Sequence, residues 1–183
     1  STRGAYCGGY DAPVVVNTIQ YIEIGSLGNS VDFGDLTDAR NHMASQSNSV
    51  RGVCAGGTDP ANSNLIDYIT IATTGDAADF GDSTVTVQDQ LGSCASPTRG
   101  VMAGGYNANN VIDYVTIGTL GNAIDFGDLT VARNGLMSAC SNGTDERGIF
   151  CSGDPAGAAR TRLDYITINS TGNATVFGSM RHD

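Results

Sequence analysis

The chain has 183 residues and a mass of 18.8 kDa, long enough to bury a sizeable core and short for several domains. Its formal charge of −10, carried against nine Arg and no Lys, excludes a nucleic-acid binder, because phosphate contacts need clustered cations. Low charge content (15%) and 25 Gly describe a turn-rich β protein rather than a helical or disordered one, and no apolar run reaches membrane-spanning length.

Arg-Gly recurs at equal intervals, at Arg3, Arg51, Arg99 and Arg147, which sets a 48-residue period. A period of this size predicts stacked copies of one supersecondary unit. The reading is a single repeat domain over 1–183, with units of about 3–50, 51–98, 99–146 and 147–183. Ser1-Thr2-Arg3 matches Pro97-Thr98-Arg99 inside the array, so the pattern opens in mid-repeat and an excerpt or processed product is expected.

Taken in chain order, each unit offers an apolar strand ending in small residues, at Gly4 to Gly9, Gly52 to Gly57, Gly100 to Gly105 and Gly148 to Gly153. Paired glycines at its end allow a tight exit. A loop of varying length follows, since Arg-to-Tyr spacing is 18, 17, 15 and 18. The second strand is the strongest: Ile19 to Ile24, Ile66 to Ile71, Ile112 to Ile117 and Leu163 to Ile168, centred on Tyr21, Tyr68, Tyr114 and Tyr165. Apolar groups occur on both of its faces, which predicts a sheet sandwiched between neighbouring sheets. A Gly-Asn or Gly-Asp turn leads to the third strand. Its Phe follows the Tyr at a constant spacing, in the pairs Tyr21/Phe33, Tyr68/Phe80, Tyr114/Phe126 and Tyr165/Phe177. A fourth, weaker strand fills each gap, near Met43 to Ser47, Leu91 to Ala95 and Leu136 to Cys140. Four short strands in a unit of this length make a propeller blade.

Arg-Gly, Gly-Gly, a Tyr-centred strand and an aromatic-containing strand together resemble kelch repeats, with Phe where many kelch units have Trp. The wording Ile-Asp-Tyr-Val-Thr-Ile and Asp-Phe-Gly-Asp-Leu-Thr-Val-Ala-Arg is similar to kelch-like arrays in virion proteins of tailed phages. The expected fold class is therefore an all-β, kelch-like β-propeller. It has about four 48-residue blades, or is part of a larger or intermolecularly closed ring. In that phasing three units have four strands and the first has three.

Candidate chemistry is weighed against structural duty. Asp-Phe-Gly at Asp32, Asp79 and Asp125 is triplicated at one repeat position and lacks a glycine-rich nucleotide loop, so it is not a kinase magnesium motif. The pairs Asp32/Asp35, Asp79/Asp82 and Asp125/Asp128 suit capping of backbone amides better than calcium, and the fourth unit has Thr175 and Ser179 instead. The Arg of each Arg-Gly is expected to pair with an Asp and tie one blade to the next. The four Tyr are expected in the core. His42 and His182 have no partnered nucleophile motif. Five Cys cannot form a complete internal disulfide set and are read as buried thiols, Cys94 and Cys140 counting level with Ser47.

No catalytic residue, metal site or cofactor is assigned. The sequence reading is a non-enzymatic structural and recognition module of a phage virion, tail- or fibre-associated. Variable loops carrying Asp11, Pro13, Asp59, Asn62, Asn107, Asn110, Asp154 and Pro155 would bind the partner. Expected partners are other virion proteins, copies of the chain itself, or a host surface glycan or protein, without nucleic acid or membrane insertion. The alternative is a secreted or cell-surface bacterial adhesion or scaffold propeller, and a glycan-active enzyme ranks below both.

Overall fold

The computed structural model describes residues 2–58, 60–85, 91–105, 109–143, 147–154 and 161–181, with backbone alone at 134–137 and 154. Every described element is a strand, and four antiparallel sheets are arranged in a ring as the blades of a four-blade β-propeller. Blade 1 is β1 (Arg3–Asp11), β2 (Val14–Glu23) and β3 (Val31–Asp35). Blade 2 is β4 (Ala44–Ser47), β5 (Arg51–Ala55), β6 (Leu65–Thr70) and β7 (Ala78–Asp82). Blade 3 holds β8 (Gly92–Ala95), β9 (Arg99–Ala103), β10 (Asn109–Thr116) and the first part of β11 (Ile124–Ser141). The rest of β11 opens blade 4, followed by β12 (Gly148–Asp154), β13 (Arg162–Ile166) and β14 (Thr175–Ser179). Because β11 runs unbroken from one blade into the next, the last two blades share a ladder of seven strands.

Blades 2 to 4 thus take their first strand from the segment before Arg-Gly, and among the described residues blade 1 shows three strands. The Tyr strand sits in the middle of every sheet, with β5 and β7 flanking β6 in blade 2. Apolar groups of both parities along that strand are used. Ile112 faces blade 4 together with Phe126, Phe150 and Ile168, while Val115 and Ile117 face blade 2 together with Val53, Ile66 and Phe80. The core therefore lies between sheets, in three clusters, one for each successive pair of blades. Burial of these residues is the main term holding blade to blade.

The register corrects one sequence alignment. Gln46 pairs with Val53 as Cys94 pairs with Val101 and Cys140 with Ile149, so Gln46, not Ser47, stands level with the two cysteines. Counting from the Phe failed because the blade 1 connection is one residue shorter there than in the next two repeats.

Candidate functional site: the blade seams and the loops they hold

Three seams are built from the same parts. The Arg of Arg-Gly lies over the Tyr of its own blade, with the guanidinium carbon 4.4 to 4.9 Å from the ring centre in all four copies. The same Tyr meets the Phe of the third strand edge to face, at 5.9 to 6.1 Å. From that stacked position, Arg3, Arg51 and Arg99 each donate Nη1–H to a backbone carbonyl of the following blade, of Ile71, Ile117 and Ile168. The arginines do tie blades together, but the acceptor is a carbonyl and not the expected Asp. Among the described residues only Arg3 adds a carboxylate, Glu23 of its own blade at 3.0 Å, and with Thr2 it holds that carboxyl below its ordinary range. The tyrosines are half-buried rather than core, because one ring face is given to the cation.

The second shared part is the Phe-Gly-Asp bend. The carbonyls of Phe33 and Asp35 accept from the N–H of Gly75 and Ala77 in blade 2, both at 2.7 Å. Phe80 and Asp82 repeat this with Gly121 and Ala123, and Phe126 and Asp128 with Gly172 and Ala174. The side-chain oxygens of Asp76, Asn122 and Asn173 accept from the N–H of Asp35, Asp82 and Asp128. Amide capping thus comes mainly from the turn of the next blade, although Asp125 of the paired carboxylates also accepts from the Gly127 N–H, at 3.1 Å. The glycine of the bend is required sterically. A Cβ on Gly34, Gly81 or Gly127 would lie 2.5 to 2.6 Å from the backbone of the next blade's turn, and each has a strongly positive φ.

The third part went unrecognised in the sequence. The residue before each Tyr on blades 2 to 4 is a fully buried aspartate: Asp67, Asp113 and Asp164. Each is gripped by a Thr from the preceding blade's exit, through both hydroxyl and backbone N–H, in the pairs Thr37–Asp67, Thr84–Asp113 and Thr130–Asp164. Arg40 and Arg133, themselves buried, add a 2.5 Å ion pair to Asp67 and Asp164. Burial pushes the Arg133 guanidinium below its ordinary pKa, and the Asp164 carboxylate opposes that shift. For Asp113 the aligned sequence has Val87 in place of the arginine. Burial without that cation raises the Asp113 carboxyl above its usual range, and the Thr84 bonds work in the opposite direction.

These arginines also hold the loops. Arg40 Nη1 donates to the carbonyls of Gly56 and Leu65, the two ends of the β5–β6 connection, both at 2.9 Å. Arg133 Nη1 does the same for Ser152 and Arg162 at the two ends of the β12–β13 connection, at 3.1 and 3.2 Å. The neck of a variable loop is thus pinned by a buried cation from the blade before it. Of the predicted loop residues, Asp11 and Pro13 are exposed at the β1–β2 hairpin, and Asn62 is half-buried beside the Thr58 bridge. Asn110 lies in β10 and Asp154 ends β12. Asp59, Asn107 and Pro155 lie outside the described residues. The five described residues lie in or beside the connection between the strand after Arg-Gly and the Tyr strand, so the topology brings them to one rim of the ring.

The thiols divide. Cys54 and Cys94 are buried, Cys7 and Cys151 partly so, and Cys140 is exposed, against the expectation of five buried thiols. Burial pushes Cys94 up to about 12, with Cys140 adding to the shift. Among the described residues, no three His, Cys, Asp or Glu side chains gather as metal ligands.

The boundary from blade 4 to blade 1 differs from the other three. Phe177 is 49% exposed, whereas Phe33, Phe80 and Phe126 are 2 to 3% exposed. A Cβ on Gly178 would meet nothing, unlike its three counterparts. Arg147 stacks over Tyr165 as the others do, yet among the described residues no carbonyl of a following blade receives it. On the opposite side, Ile24 is 68% exposed where Ile71, Ile117 and Ile168 are buried, and Tyr6 stands exposed where Met102 and Phe150 are buried. Among the described residues, no backbone hydrogen bond joins Phe177 or Ser179 to Gly28 or Ser30. No known protein family matches this chain, and no curated protein matches it.

Proposed function

We propose that the chain is a non-enzymatic structural and recognition module of a tailed-phage particle, of the kelch-like type, associated with the tail or a fibre. The observation that carries this reading is the pair of buried arginine clamps. Arg40 and Arg133 direct their Nη1 and Nη2 donors to loop necks and to Asp67 and Asp164, so the rim loops vary on a fixed base. Fixed necks lower the ordering cost a loop incurs on binding. Weak equivalent sites on several blades and several copies then add through multivalency. The exposed faces of blades 1 and 4 suit coverage by copies of the chain or by other virion proteins.

The repeat wording supplies the phage assignment and the clamped loops supply the recognition role. Replacing residues 60–62 and 155–158 by Gly-Ser segments should abolish binding of the labelled protein to host cells while leaving its melting temperature within a few degrees. Peptide mass spectrometry of purified particles should find the chain. Unchanged cell binding sinks the loop assignment, and absence from particles sinks the virion one.

A further inference from the structure

We infer that Cys7 and Cys54 are a redox-controlled cross-link site, where a disulfide joins blade 1 to blade 2 across the core of their seam. The third and fourth residues after the Arg of Arg-Gly serve opposite seams. In the third place, Met102 and Phe150 point back into the cluster shared with the preceding blade. In the fourth, Ala55 and Ala103 point forward into the cluster shared with the following blade. Two seams thus set a small side chain with a large one, Ala55 with Met102 and Ala103 with Phe150. At the seam of blades 1 and 2 the same two places are Cys7 and Cys54, packed in one cluster with Ile19, Phe33, Leu36 and Ile69. Of the three described seams, this one alone has a thiol in both places. Blades 1 and 2 close it between them, with the Phe33 and Asp35 carbonyls accepting from the N–H of Gly75 and Ala77.

The two thiols are unequal. Cys7 is half-buried, whereas Cys54 is buried and accepts from the Ser45 hydroxyl of the neighbouring strand at 3.6 Å. The adjacent Cys7 thiol lowers the Cys54 pKa, burial opposes it, and the Ser45 hydroxyl adds to the lowering. Cys54 and then burial raise Cys7. Cys54 is thus the better nucleophile of the two, and Cys7 is the sulfur that a dissolved oxidant reaches. With a small-molecule disulfide as the oxidant, exchange first leaves Cys7 as a mixed disulfide and releases one thiol. Cys54 Sγ then attacks Cys7 Sγ, its proton goes to the departing sulfur, and a second thiol leaves. The protein loses two hydrogens in all, and the S–S bond of the oxidant is reduced to two thiols. The new bond ties β1 to β5. It forms as the chain passes from reducing to oxidising surroundings and is undone on return.

The test treats the whole folded chain, reduced and then freed of reductant, with oxidised glutathione. Remaining thiols are blocked with iodoacetamide, and peptides from trypsin and chymotrypsin are mapped without reduction. A cross-linked pair joining the Cys7 and Cys54 peptides is expected. The oxidised chain should melt about 5–15 °C above the reduced one, and dithiothreitol should reverse the shift. Oxidation should slow exchange of the Gly75 and Ala77 amides, which cross this seam, more than that of Gly121 and Ala123 at the next. Cys7→Ala matches Ala55 and Ala103 at the same place in the repeat, so it should fold, and it should abolish both the cross-link and the shift. Recovery of Cys7 and Cys54 unlinked from the oxidised chain would overturn the assignment. So would a bond from either to a third cysteine, a cross-link without a rise in melting temperature, or a rise that persists in Cys7→Ala.

Discussion

Phe126 and Phe177 hold the same place in successive blades, each edge-on to its Tyr at about the same distance, yet one is buried and the other half exposed. The local sequence builds the same aromatic pair in both. What differs is whether a following blade is there to cover it. Intrablade geometry is therefore local, and burial is a property of the seam. That is the expected behaviour of a repeat array, whose stability is a sum of unit and nearest-neighbour terms.

The sharpest way to break this comparison is at the paired residues. Phe126→Ala should cost about 3–5 kcal/mol of unfolding free energy, because it opens a cavity inside a closed seam. Phe177→Ala should cost about 1 kcal/mol or less, since a half-exposed ring has less transfer energy to lose. Denaturant titration of both variants compares them directly, and equal losses would show that the fourth face is covered.

A second contrast lies among the buried carboxylates. Arg133→Met should cost about 3 kcal/mol, because it leaves the buried Asp164 with only the distant Arg162, at 4.0 Å, as a cation. Asp113 has no ion pair among the described residues and is held through its two bonds from Thr84. The arginines of Arg-Gly give a smaller effect. Arg99→Gln removes a cation–π contact and the bond to the Ile168 carbonyl, for about 1–2 kcal/mol. Arg147→Gln loses the stacking without such a bond and should cost about half as much or less.

The smallest effect is one of pH. The folded Asp113 carboxyl titrates above its unfolded value of about 3.9. Its contribution is thus fully present below that value and is lost as pH rises through the folded pKa. Asp113→Asn should flatten that part of the stability-against-pH curve, measured by urea unfolding between pH 3.5 and 7. The same change at Asp67 or Asp164 should cost more at pH 7, because each leaves a buried arginine unpaired.

Much of the propeller was legible before any coordinates. The 48-residue period, the constant Tyr-to-Phe spacing and apolar groups on both faces of the Tyr strand give blades stacked sheet on sheet. The seam chemistry was not, for a physical reason. Asp67, Asp113 and Asp164 read as ordinary polar positions between apolar neighbours, since a strand pattern does not say which acidic side chain will meet a buried partner. Their partners, such as Thr37 and Arg40 for Asp67, stand far earlier in the chain and in another blade. Only the recurring Leu-Thr…Arg of Leu36 to Arg40 and Leu129 to Arg133 hinted at a pairing. The exposure of Cys140 was equally hidden. It holds the same place in blade 4 as Cys94 does in blade 3, and what separates the two cases is the next blade, whose Gly148 lies against Cys94.

Amide hydrogen exchange on the dilute, monomeric chain tests the open fourth boundary without any mutation. The N–H groups of Gly75, Gly121 and Gly172 donate across seams, and those of Ala77, Ala123 and Ala174 do the same. These six should exchange only with opening of the blades, while Gly28 and Ser30 at the same positions of blade 1 should exchange near the rate of an unstructured peptide. Protection of Gly28 and Ser30 equal to that of their counterparts would mean that blade 4 closes on blade 1 within a single chain, and would contradict the account.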